Sequence, residues 1–162
     1  MTKLIIIRGN SGSGKTTTAD ALKKSFSNST LLINQDLIRK QLLDEPDISH
    51  NLSISLMDQL LIWGEENVKQ IILEGILKTS VYGEWIKKVQ ANYGKKVTTC
   101  YFNLTFDECI KRNKTKKESF ALEQMKRWWI EDDLIGNEDL IFSSSSSIHE
   151  QVRKIKKVVF SK

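Results

Sequence analysis

The stretch LIIIRGNSGSGKTTTADAL, Leu4–Leu22, joins an aliphatic run, a glycine-rich loop and a segment with helical spacing. Leu4–Ile7 is continuous and largely β-branched instead of alternating, as expected of a strand buried on both faces. Gly9, Gly14, Lys15 and Thr16 stand at the fixed places of G-x-x-x-x-G-K-[ST]. In such a loop the glycines let backbone N–H groups turn inward around phosphate oxygens, and the following helix adds its positive end. Gly9, Asn10, Ser11, Gly12, Ser13, Gly14, Lys15, Thr16 and Thr17 are therefore predicted to cradle the phosphates of a nucleotide. Lys15 should reach the β- and γ-phosphates, and the Thr16 hydroxyl should hold Mg²⁺. The loop alone leaves open whether it feeds a switch, a motor or a phosphoryl transfer.

A chain of 162 residues suits one α/β domain with its own core. Hydrophobic content of 40% with 28% charged residues is ordinary for a soluble globular protein. The net charge of +5 mildly favours anionic ligands but is too small to mark a nucleic-acid binder, so nucleic acid is not the favoured partner. The apolar run after Lys3 is too short for a signal peptide. No stretch approaches the roughly 20 apolar residues that span a bilayer. A cytoplasmic location without membrane contact is the expectation. Cys100 and Cys109 fit neither C-x-x-C nor a zinc spacing and are expected as buried core thiols.

Along the chain, strands are predicted at Lys3–Arg8, Leu31–Asn34, Ile71–Leu73, Val97–Asn103 and Leu140–Phe142. Helices are predicted at Thr16–Ser25, near Asp36–Leu43, at Ser53–Asn67, at Val81–Tyr93, from Phe106 to Asn113 and at about Ile148–Val159. Strands and helices alternate, so the fold class is α/β: a five-stranded, mainly parallel sheet between two helix layers. Residues 1–162 read as a single domain without repeats or linkers. Ser143–Ser147 reads as a loop between the last strand and the last helix.

A guanine-specific switch should carry D-x-x-G after its third strand and N-K-x-D later, and neither string occurs. A motor ATPase would normally be longer. The residues point instead to transfer onto a hydroxyl. Asp36 follows the second strand, and in a parallel sheet the carboxyl ends of neighbouring strands share one crevice. If that strand lies near the first, Asp36 faces the γ-phosphate and can accept the proton of an attacking hydroxyl. Arg39 would then hold the acceptor or the moving phosphoryl group. A helix N-cap and a surface charge are the alternative reading of this pair. Glu74 ends the third strand and can organise Mg²⁺ through water, or it can simply pair with a lysine. Gly75 beside it would leave room for an acceptor. The basic run Lys111–Arg127 reads by itself as a solvated face. Of the adjacent Trp128 and Trp129, at least one should enter the core.

Taken together, GNSGSGKTT and NQDLIRKQL resemble the P-loop kinases of the polynucleotide 5′-hydroxyl kinase, chloramphenicol phosphotransferase and zeta-toxin type. That resemblance implies Asp36 as catalytic base and Arg39 as an acceptor contact. IRGNSGSGK, NQDLIRK, ILEGIL and MKRWW are also similar, over nearly the whole chain, to uncharacterised bacterial uridine kinase-like proteins. The same kinship implies a mobile lid at about 113–128, whose Arg112 and Arg127 contact the nucleotide and neutralise transition-state charge. It also implies a place for Ser143–Ser147 around the adenine. The expected function is transfer of the ATP γ-phosphate to the hydroxyl of a nucleoside or other small molecule, with Mg²⁺. A polynucleotide 5′-hydroxyl kinase is the alternative, and a non-catalytic nucleotide sensor is the alternative of another class.

Overall fold

The structure, a computed structural model, describes residues 1–115 and 119–162. Lys116 and Lys117, part of the basic run, lie outside the described residues. The first strand, β1 (Lys3–Gly9), sits in the middle of the sheet. Its aliphatic side chains divide by parity, because successive residues of a strand point to opposite faces. Leu4 and Ile6 enter one core cluster, Ile5 and Ile7 the other, and all four are fully buried. At about 1.5–3 kcal/mol per fully buried aliphatic side chain, this strand alone anchors both layers.

Four strands join it: β2 (Thr30–Asn34), β3 (Gln70–Gly75), β4 (Val97–Phe102) and β5 (Leu140–Phe142), in the order β2-β3-β1-β4-β5, with every pair parallel. The predicted five-stranded α/β sheet is therefore present, and here it is parallel throughout. One condition of the sequence reading differs. β2 does not neighbour β1, because β3 lies between them.

Helices α2 (Leu52–Asn67) and α3 (Thr79–Tyr93) supply Met57, Leu61, Tyr82, Ile86 and Val89 to the first cluster. On the other face, α1 (Lys15–Ser25), α4 (Phe106–Lys114), α5 (Leu122–Trp128) and α6 (Ile148–Ser161) supply Ala19, Leu22, Cys109, Met125, Ile155 and Val159. Cys100 and Cys109 are buried on that face, as expected. The segment after β2 is a turn of π-helix, Leu37–Leu42, closed by Leu43 N–H donating to the Ile38 carbonyl at 3.1 Å. A short 3₁₀ turn, Gly94–Lys96, leads into β4. Among the described residues no helix is long and apolar enough to cross a membrane.

Candidate active site

The parallel register brings three strand ends to one edge of the sheet. Ile7 of β1 pairs with Glu74 of β3, and Glu74 pairs with Asn34 of β2. The glycine-rich loop leaves β1 at this edge and runs into α1. Gly12 shows why the loop needs glycine: its φ is +81°, and an added Cβ would lie 2.6 Å from the Cys109 carbonyl oxygen of α4. The loop is thus pressed between the sheet and α4 with no space for a side chain at that point.

The predicted phosphate-binding residues converge. Lys15 is buried and folds over the loop, its Nζ donating to the Asn10 carbonyl at 2.8 Å and lying 3.5 Å from Ser13 Oγ. The Thr16 hydroxyl donates to Glu74, with Oε1 at 3.1 Å and Oε2 at 3.3 Å. Asn34 Nδ2 also donates to Glu74 Oε1, and Asn34 Oδ1 accepts from Leu37 N–H at 2.8 Å. Asn34 therefore links Glu74 to the turn carrying Asp36, a role that no local pattern indicated. Burial raises the Glu74 pKa, and Asp36 and Asp20 add to this; Lys15 and the Thr16 hydrogen bond pull the other way. A hydroxyl beside a buried carboxylate supplies the hard oxygen donors that suit Mg²⁺.

Asp36 is partly exposed and ion-paired to Arg39 at 3.4 Å and Lys40 at 3.2 Å. Arg39 is more tightly held than the sequence suggested. Its Nη1 donates to the Glu45 carbonyl at 2.8 Å, and its Nε lies 3.7 Å from Asp47. Asp47 in turn accepts from the Tyr82 hydroxyl at 2.8 Å and pairs with Lys78 at 3.1 Å. Burial, reinforced by Asp47, pushes Tyr82 up to about 12, so it stays a proton donor. Gly75 does not leave space for an acceptor: Gln35 fills it, with its Cβ 2.8 Å from where a Gly75 Cβ would stand.

The two arginines expected in a lid separate. Arg112, on α4, donates from Nη1 to the Ser13 carbonyl at 2.9 Å and from Nη2 to the Ser144 carbonyl at 3.3 Å, clasping the phosphate loop to the serine loop. Arg127 is exposed at the end of α5 and lines a cavity with Asp36, Arg39 and Trp128, away from the loop. Trp129 packs into the core beside Phe106, while Trp128 meets Phe120 edge-on and lies under Lys40, so the two indoles divide. His149 is exposed on α6, and His50 lines a different cavity from Asp36.

Three cavities follow one another along this edge. The first, about 340 Å³, is lined by Gly12, Gly14, Thr17, Thr18, Arg112, Thr115, Ser146, Ser147, Ile148 and Gln151. The second, about 130 Å³, holds Ser11, Gly12, Lys15, Thr16, Asn34, Asp36 and Glu74. The third, about 490 Å³, is lined by Gln35, Asp36, Arg39, Lys40, Asp47, Ile76, Lys78, Arg127, Trp128 and Ile130. Gly12 belongs to the first two, and Asp36 and Ile76 belong to the last two.

A central strand, a glycine loop over a helix N-terminus and an acid at the neighbouring strand end define a P-loop protein with the fold of small kinases. The APS kinase of Mycobacterium tuberculosis, solved in complex with AMPPNP and APS, is similar in fold, with a TM-score of 0.75, 17% identity and 98% of each chain covered. The tunicamycin resistance protein of Deinococcus radiodurans matches with a TM-score of 0.69 at 18% identity, covering 98% of this chain and 96% of that one. A gluconokinase of Sinorhizobium meliloti matches with a TM-score of 0.62 at 15% identity, covering 98% and 92%. Residues 2–115 match the Zeta toxin family, and the chain belongs to that family. No curated protein matches the sequence.

Proposed function

We propose that the protein is an ATP-dependent, Mg²⁺-requiring phosphotransferase whose acceptor is a hydroxyl of a nucleoside or other small molecule, in the manner of a uridine kinase. The observation that carries this reading is the position of Asp36, which lines both the cavity over Lys15 and Thr16 and the larger cavity beside it. A carboxylate shared by a phosphate site and a neighbouring cavity stands where a general base is needed, between donor and incoming hydroxyl. The 490 Å³ cavity is of the size that takes a small molecule.

In this reading Lys15 and the loop from Gly9 to Thr17 hold the ATP phosphates, and Thr16 with Glu74 holds Mg²⁺, which neutralises phosphate charge. Arg39 keeps Asp36 oriented and faces the acceptor. Arg112 serves the nucleotide side. Arg127, by its cavity, serves the acceptor side instead of the phosphate loop. Residues 1–162 act as one kinase domain with residues about 113–128 as its lid.

The test is ADP release from ATP across a panel of nucleosides, sugars and oligonucleotide 5′ ends, run on the wild type and on Asp36→Asn. The variant should bind ATP normally while acceptor-stimulated turnover falls at least about a hundredfold, the range of general-base catalysis. Wild-type turnover by Asp36→Asn would remove the assignment. ATP binding without stimulation by any acceptor would replace the enzyme with a nucleotide-sensing protein.

A further inference from the structure

The serine loop, residues 143–147, joins β5 to α6 and forms one wall of the 340 Å³ cavity. The opposite wall is α1, the helix that begins at the phosphate loop. On the donor reading proposed above, a nucleotide whose phosphates lie over Lys15 places its base and sugar between these walls. The distance between them is then a property the protein has to hold constant.

Gln151 bonds to both walls. It lies in the first turn of α6, is 2% exposed, and lines the cavity. Its Oε1 accepts from the Thr18 hydroxyl of α1 at 2.7 Å, and its Nε2 donates to the Ser146 carbonyl at 3.0 Å. A carbonyl can only accept, so the amide has one orientation in which both bonds form. A buried amide is costly unless its polar ends are satisfied. Here each end is satisfied by a different wall. The serine loop also has internal order: Ser143 and Ser145 hydroxyls lie 3.1 Å apart, and the Ser147 hydroxyl caps α6 by accepting from Glu150 N–H. Arg112 ties this loop to the phosphate loop through the Ser144 carbonyl, and Gln151 ties it to α1 through Ser146.

We propose that Gln151 is a positioning residue for the donor nucleotide, fixing the base-side wall relative to the phosphate-binding helix so that one nucleotide spans both. This predicts an effect confined to the base-bearing part of the donor. The phosphates rest on Lys15 and Thr16, which are placed by Asn10 and Glu74.

Calorimetric titration of the whole chain with ATP and with inorganic tripolyphosphate, at one fixed free Mg²⁺ concentration, separates the two parts. Gln151→Met keeps the side-chain length and removes both bonds. ATP affinity should fall about tenfold, the size of a lost buried hydrogen bond, with tripolyphosphate affinity held within about twofold. Thr18→Val opens the same link from α1 and should give the same split, and it decides the matter if Gln151→Met does not fold. Equal losses for both ligands, or no loss for either, would overturn the proposal. A wild type that binds tripolyphosphate as tightly as ATP overturns it too, while leaving the phosphate cradle standing. A wild type that binds neither ligand removes the donor reading itself.

Discussion

Glu74 shows how one side chain carries opposed demands. Its carboxylate is nearly fully buried at a strand end, where Thr16 and Asn34 donate to it and Lys15 lies close enough to favour its charge. Burial nevertheless dominates and raises its pKa. The folded state then binds this proton more tightly than the unfolded chain does. Well below the unfolded-state pKa of about 4.3 both states are protonated and nothing is lost; stability declines as pH rises from there through the folded-state pKa. Glu74→Gln removes that decline. Without ligand, the variant should melt above the wild type at pH 8, with the gap closing as pH falls below about 4.3. The same variant should lose the Mg²⁺-dependent part of ATP affinity. Melting curves from pH 4 to 8 and ATP titrations with and without Mg²⁺ check both halves. A variant less stable than the wild type at pH 8 would contradict the burial argument. Lys15, Thr16 and Glu74 were legible in the sequence because each sits at a fixed step from a strand end. Asn34 was not, since its contact with Glu74 depends on the pairing of β2 with β3.

The elements were legible in type and less so at their ends, because tertiary partners set the ends. Helix α3 begins at Thr79, two residues before the expected Val81, since the Asp133 carboxylate accepts from Thr79 N–H at 3.0 and 3.2 Å. A cap supplied from 54 residues away leaves no local signal. Helix α5 is seven residues long, too short to show a period, and fell inside the segment read only as a lid. Helix α4 was placed correctly from Phe106, but its service to the loop was hidden: its Cys109 carbonyl faces Gly12, and its Arg112 clasps Ser13. This pairing of element and loop can be tested with two glycines. Gly12→Ala should push α4 off the loop and lower both the melting temperature and ATP affinity. Gly94→Ala, at φ +52° with nothing within 4 Å of the new Cβ, should cost only backbone strain, roughly 1–3 kcal/mol, and leave ATP affinity alone. Equal ATP affinities in the two variants would mean that α4 does not shape the loop.

At the scale of the whole molecule, the fold is held at the active edge by a charge in the core. Arg8 precedes the first loop glycine and is fully buried. Its Nε and Nη2 donate to the Leu77 carbonyl at 3.1 and 2.9 Å, and Nη2 also reaches Thr79 Oγ1 at 2.9 Å and Asp133 Oδ2 at 3.1 Å. Glu138 lies 3.6 Å away, and the Tyr101 ring packs beneath the guanidinium. Burial alone would weaken its charge, and the two carboxylates support it. One side chain thus joins β1, the turn leading into α3, and the segment between α5 and β5. Beside it, Asn10 exchanges two hydrogen bonds with the backbone of Ile130, at 2.6 and 3.1 Å, fastening that segment to the phosphate loop. None of this was legible, because Arg8 reads locally as an ordinary charge ending a strand and its hydrogen-bond partners lie 69 to 125 positions away. Breaking a buried pair by removing one partner strands the other charge and costs about 3–5 kcal/mol. Arg8→Met should therefore lower the free energy of unfolding in urea by that order and loosen the loop as well. Arg8→Lys should recover little, since one ammonium cannot reproduce the planar set of donors. Urea unfolding followed by circular dichroism, with ATP titrated into each variant under folding conditions, measures both effects. A stability loss under about 1 kcal/mol for Arg8→Met would show that the apolar layers hold this edge without the buried charge.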